Sequence, residues 1–424
     1  MTSRRIFLKS GAMAMVSLGF APSFLARTAA AAGTRKKLLI AVFQRGAVDG
    51  LNMVVPYGEA DYYRARPSIA IAKPGAADGA VDLNGFFGLH PRMSALKPLW
   101  DQGHLAIVHA CGSHDTTRSH FDAQDYMESA TPGVKSTRDG WLNRYLAASA
   151  HQEPQGDPSS SRDAKASNPL RGVALTPRMP RSLAGAAPAV AMGRAAEFAV
   201  ADRGARTSFE ELYAAANDPS LHGTAGEAFE AMRTLAKKTA GAYQPANGAA
   251  YPRSPFGQAL QEIARLAKSD VGLEIAFAES SQWDHHANEG GAAGQLANRL
   301  DDFSRGLAAL AQDLGDRMAD TVILTMSEFG RAVAQNGSGG TDHGHGNAML
   351  LLGGPVKGRE VYGRWPGLSA EQRYDGRDLA VTTDFRDVFA EVVVNHLGAG
   401  PETATPVFPG YEMTPSSFKG VVRA

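Results

Sequence analysis

Asp49 in RGAVDGLN, Asp284 and His286 in WDHHANEGG, Glu328 in SEFGR, and Asp342, His343 and His345 in GGTDHGHG are carboxylates and imidazoles in polar, mostly glycine-bearing stretches. Anionic oxygen and neutral imidazole together suit a borderline divalent cation, zinc or manganese. On extended backbone, residues two apart point to the same side, so Asp284 with His286, or His343 with His345, can ligate one ion. The competing reading is a glycine-rich surface loop whose histidines bond backbone carbonyls. The order of the strands decides between them.

A second group lies in HACGSHDTTRSHFDAQDYMESATPG, residues 109–133, where a strand ending near Ala110 leads to a helix from about Ser119. A helix N-terminus favours anions, because its first N–H groups are unpaired and its dipole is positive there. Thr116, Thr117 or Ser119 offers either a hydroxyl nucleophile or a helix cap. Arg118 is an anion partner, and His120 a base, an anchor or, like His345, a second-choice metal ligand. No G-x-S-x-G elbow, Walker loop or G-x-G-x-x-G turn is present, so serine-hydrolase, NTPase and dinucleotide chemistry lack their signatures.

The elements that must position these groups are short apolar runs ending in glycine or polar residues. They are KKLLIAVFQ, HLAIVHACGS, RGVALTP, LEIAFAES, TVILTMSEFG and NAMLLLGG. Such runs suit strands buried on both faces. Residues 295–316 place Leu296, Leu300, Phe303, Leu307 and Leu310 at helical spacing. Strand and helix in alternation predict an open, mostly parallel α/β sheet with ligands at the carboxyl ends of its strands. Residues 150–169 read as a polar surface loop and 207–268 as a helical insertion or cap. TTDFRDVFAEVVVNHLG reads as a docking helix capped by Thr383 or Asp384 and closed by Gly398.

The first 32 residues, with Arg4 and Arg5 before a weakly apolar stretch broken by Gly11, Gly19 and Pro22, read as a twin-arginine export signal. That predicts a periplasmic or otherwise exported protein, with no transmembrane segment in its mature chain. Removing residues 1–32 leaves 39 basic and 43 acidic side chains, a formal charge of −4. This balance argues against nucleic acid as a partner. Cys111 is the one cysteine of 424 residues, so no intrachain disulfide exists. Residues 33–424 suffice for one large α/β domain or two smaller ones.

The segments VFQRGAVDGLN, SHFDAQDYMESATPG, WDHHANEGG, MSEFGRAVAQNGSGGTDHGHGNAMLLLGG and TTDFRDVFAEVVVNHLG resemble the exported bacterial proteins of domain of unknown function 1501. That family is grouped with the alkaline phosphatase and sulfatase-like superfamily. The resemblance implies a three-layer α/β/α sandwich, alkaline phosphatase-like, and a metal-dependent hydrolase of phosphate or sulfate esters. Its partner would be a small anionic ester or an envelope component. Carried over, Asp49 resembles the carboxylate ligand after the first strand. Asp284 and His286 resemble the pair holding one metal, and His343 or His345 the late histidine of that site. Glu328-Phe329 stands where the superfamily has Asp-His, and no residue among Thr116, Thr117 and Ser119 sits in a nucleophile motif. The alternative is a binding or assembly protein that keeps the fold without the chemistry.

Overall fold

The computed structural model describes residues 37–150, 168–193, 235, 237–239 and 241–423. The expected signal at residues 1–32, most of the 150–169 loop and residues 207–234 of the expected cap lie outside the described residues. Twelve strands occur among those described: β1 (Leu38–Gln44), β2 (Val54–Val55), β3 (Val81–Asp82), β4 (Gly88–Leu89), β5 (Leu105–Gly112) and β6 (Gly172–Ala174) come first. β7 (Val190–Ala191), β8 (Ile275–Ser280), β9 (Thr321–Met326), β10 (Asn347–Gly353), β11 (Val361–Tyr362) and β12 (Thr383–Asp384) follow. Nine form one sheet in the order β11-β5-β10-β9-β1-β8-β6-β7, with β12 also on β5. β2, β4 and β3 make a small second sheet.

The apolar runs are explained by burial on both faces. Every residue of β1, β5, β9 and β10 is buried. Alternate side chains enter two separate cores. Ile40, Val42, Ala276, Ile323 and Leu350 pack with Leu296, Leu300, Phe303, Leu307 and Leu310 of the Gln295–Leu314 helix, and with Leu260 and Ile263 of the Pro255–Lys268 helix. Leu39, Ala41, Phe277, Leu324 and Leu351 pack on the other side with Trp141, Phe385 and Phe389. Phe256 stacks on Phe303 at 5.4 Å between ring centres, locking the two helices of the first core together.

β1 runs parallel to β8 and β9, while β10 runs antiparallel to both β9 and β5. A parallel return to the sheet needs a crossover, usually a helix. The chain between Met326 and Asn347 instead forms a folded loop, so β10 re-enters from the end at which β9 leaves. The loop before β10 therefore lies at the same edge as the carboxyl ends of β1, β5, β8 and β9. One extra residue, Ala110 at φ +52°, bulges β5 opposite the Asn347/Ala348 step. Such a bulge bends the strand, here just before the 113–119 segment.

At the C-terminal end, Asp384 is the cap: its side chain accepts the Arg386 N–H at 2.8 Å. The expected single helix is α-helical over Phe385–Glu391 and then widens into a π turn over Val392–His396, before Gly398 at φ +74°. Among the described residues, no helix is long and apolar enough to cross a membrane.

Candidate functional site

Four loops meet at the shared edge. His120 begins the His120–Ser129 helix after β5, Asp284 and His286 follow β8, Glu328 follows β9, and His343 precedes β10. His120, Asp284 and His343 each turn a ligand atom inward, all within 4.8 Å of one another. Asp284 is the centre. Its Oδ2 lies 3.5 Å from His120 Nε2, and its Oδ1 lies 3.0 Å from His286 Nε2 and 3.4 Å from His343 Nε2. The two imidazole nitrogens of His286 and His343 are 3.0 Å apart.

Each ring is held by its other nitrogen. His343 Nδ1 lies 2.8 Å from the Arg118 carbonyl, which only accepts, so this nitrogen donates and Nε2 keeps its lone pair. His120 Nδ1 donates to Glu328 Oε1 at 2.8 Å. His286 Nδ1 faces Asp342 Oδ1 at 3.4 Å. The Glu328 carboxylate is buried but also accepts from Gln124 Nε2 and the Gly46 N–H, each at 2.8 Å. Despite the opposing cost of burial, these bonds hold its pKa below the usual range. The hydrogen bond to Glu328 raises the pKa of His120, whereas burial lowers that of His343. His120 Nε2 itself is sealed from solvent with no hydrogen-bond partner. Phe329, whose ring centre is 5.0 Å from His120 and 5.1 Å from His343, walls the group on one side.

Arg331 supports the centre from within. Its fully buried guanidinium bonds the carbonyls of Gly46, Ala47, Trp283 and Thr341 as well as Asp284 Oδ1. It therefore ties the ends of β1 and β8 to the loop before β10. Although burial works against it, this pairing keeps the Asp284 pKa low, so the carboxylate is available in ionised form. Sequence reasoning missed Arg331; its only trace was its place in SEFGR, because a buried arginine is not distinguishable by type from a surface one.

The same loop explains the glycines of GGTDHGHG. The Gly330 N–H bonds the His345 carbonyl and the Gly344 N–H bonds the Gly330 carbonyl, at 2.9 and 2.8 Å. Thr341 N–H reaches the His285 carbonyl at 3.0 Å. A Cβ on Gly330 would lie 1.8 Å from the Gly346 carbonyl oxygen. Backbone lies directly on backbone here, which only glycine permits.

Not every expected ligand joins the group. Asp49 is buried and bound through both oxygens to Arg66, and it also caps the Gly50–Met53 helix. It shares this pocket with Glu289, whose pKa burial and the Asp49 charge push well up. Glu328 stands behind His120 rather than at the convergence point. The chain bends at His345, whose ring stacks on Tyr374 at 4.3 Å. Thr117 Oγ1 accepts the Ser119 N–H at 3.2 Å, and Ser119 sits at the cap position without a side-chain cap bond. Thr116 is exposed. Among the described residues, no hydroxyl of Thr116, Thr117 or Ser119 bonds to His120, Asp284 or His343.

The family model DUF1501, a protein family of unknown function, matches residues 36–392, and the chain belongs to that family. Among curated proteins, none matches the sequence. The crystal structure of the PsFucS1 sulfatase from Pseudoalteromonas sp. is a distant structural neighbour at 12% identity and a TM-score of 0.39, covering 91% of this chain and 74% of that one.

Proposed function

We propose that His120, Asp284, His286 and His343 hold a divalent cation, zinc or manganese, in an exported hydrolase of phosphate or sulfate esters with a three-layer, alkaline phosphatase-like fold. The observation that carries this reading is the convergence of three Nε2 atoms on one carboxylate while each ring is engaged through Nδ1. Tetrahedral zinc, with bonds of about 2.0–2.1 Å, sets its ligand atoms about 3.4 Å apart. Asp284 Oδ1 lies 3.0 and 3.4 Å from the Nε2 atoms of His286 and His343, near that spacing, while His120 Nε2 faces the other oxygen, Oδ2, at 3.5 Å. His120 Nε2, buried and facing Asp284 Oδ2 at 3.5 Å without a hydrogen bond, supplies a second fit, since a buried nitrogen left without one is costly unless a ligand completes it. Nδ1 held by a carboxylate or carbonyl is also the usual way to orient a ligating imidazole.

When bound, such a cation supplies Lewis-acid polarisation of the ester and activation of water. The chain's own part is to orient the ligands through Glu328, Asp342 and the Arg118 carbonyl, and to keep Asp284 ionised through Arg331. Phe329 limits water on one side. Arg118 itself is held by Asp378, with Nη2 2.7 Å from Oδ2, so it is partly neutralised as an anion partner.

The second reading is a binding or assembly protein in the cell envelope, favoured by the missing contact between the group and any of the three candidate hydroxyls. A screen of p-nitrophenyl phosphate, bis-p-nitrophenyl phosphate and p-nitrophenyl sulfate, with zinc or manganese added, separates the two. Turnover that His343→Ala lowers at least 100-fold supports the hydrolase. Metal-loaded protein that turns over none of these esters leaves the binding protein.

A further inference from the structure

Asp284 has a second neighbourhood. With His285 it lines a cleft of about 690 Å³ whose other walls include Gln282, Gln295, Asn298 and Arg299. That size is within the range of small-molecule sites. Three features make the cleft more than a surface dip. The 20-residue Gln295–Leu314 helix begins there with no side-chain cap and no acid in its first turn, the Leu296 N–H being met by the Glu289 carbonyl at 3.1 Å. Arg299 is half-buried and forms no ion pair among the described residues; Asp302, one turn on, also lines the cleft and accepts from Ser254 Oγ at 2.9 Å. His285, only 7% exposed, has a buried Nδ1 with no hydrogen-bond partner.

The geometry points to this cleft as the seat of an oxyanion, flanked by hydroxyls, on the part of the substrate remote from the scissile ester: a hydroxylated, anion-bearing molecule of the acidic-glycan kind. The helix N-terminus and Arg299 answer the negative charge. The amides of Gln282 and Asn298 each donate and accept, as hydroxyl groups do, while Gln295, whose Nε2 bonds the Ala287 and Asn288 carbonyls, offers its oxygen. His285 adds a nitrogen in need of a partner. This assignment rests on the ester-hydrolase reading only for the identity of the reacting group, because holding the anion does not require the cation.

The test is calorimetric titration of the full chain with digalacturonate, a sulfated disaccharide and uncharged maltose, each with and without EDTA. The expected result is binding of one or both charged probes at least tenfold tighter than maltose, retained in EDTA. The probe that binds identifies carboxylate or sulfate as the anion. Arg299→Gln weakens it at least tenfold. Asn298→Asp, which adds a charge that the helix N-terminus tolerates, also weakens the charged probe while leaving the melting temperature unchanged. Charged probes that bind no better than maltose overturn the inference, as do affinities unaltered by both variants or binding lost in EDTA. Binding by a protein that hydrolyses no ester upholds the cleft while sinking the hydrolase.

Discussion

Glu328→Gln separates orientation from charge at the His120 ring. The amide keeps the size and one acceptor but removes the carboxylate that makes Nε2 more basic. Loss of such an orienting group typically costs 10- to 100-fold in metal affinity, and that fall is expected in a competitive zinc titration; unchanged affinity would remove Glu328 from the site. The same bond sets the pH response. Because Glu328 raises the His120 pKa above its ordinary 6.5, the ring keeps its proton to a higher pH, and proton and cation compete for Nε2. The metal affinity should therefore begin to fall, as pH is lowered, at a higher pH than an unperturbed histidine would give. In Glu328→Gln the affinity is weaker at neutral pH but begins its fall at a lower pH. Dissociation constants measured at steps from pH 8 to pH 5 check both signs.

At the scale of elements, the loop between β9 and β10 is a backbone-to-backbone seam. Gly330→Ala forces a methyl group into the Gly346 carbonyl, so the seam must open and carry His343 away. Overpacking of this kind costs about 1–3 kcal/mol. The expected outcome is a lower melting temperature together with weakened metal binding. Gly337→Ala, where nothing lies within 4 Å of the added carbon, should leave both nearly unchanged. Equal behaviour of the two variants would contradict the seam. The glycines were visible in the sequence, but the identity of the backbone pressed against each was not. The same limit explains Asp49 and His345. Asp49 has the residue type and strand-end position of a ligand, yet Arg66, 17 positions later, claims it. His343 and His345 share a side only on extended chain, and the chain bends between the ring at the cluster and the ring on Tyr374.

For the molecule as a whole, the apolar runs and the helical spacing from Leu296 to Leu310 were legible because burial on two faces and on one stripe leaves different periods. The mostly parallel sheet follows from those runs. The reversal of β10 does not, since strand direction depends on the path of a loop that carries no periodic signal. That reversal brings His343 of GGTDHGHG beside Asp284, so the convergence of these side chains depended on the feature least readable in the sequence. The fold and site together converge on one bound ion. Elemental analysis of the full chain purified without chelators, beside an Asp284→Ala/His343→Ala double variant, tests it most directly. The expected result is about one equivalent of zinc or manganese per chain, for one ion at the His120, Asp284 and His343 group, and almost none in a folded double variant. A folded, metal-free parent whose melting temperature does not move when zinc or manganese is added would contradict it.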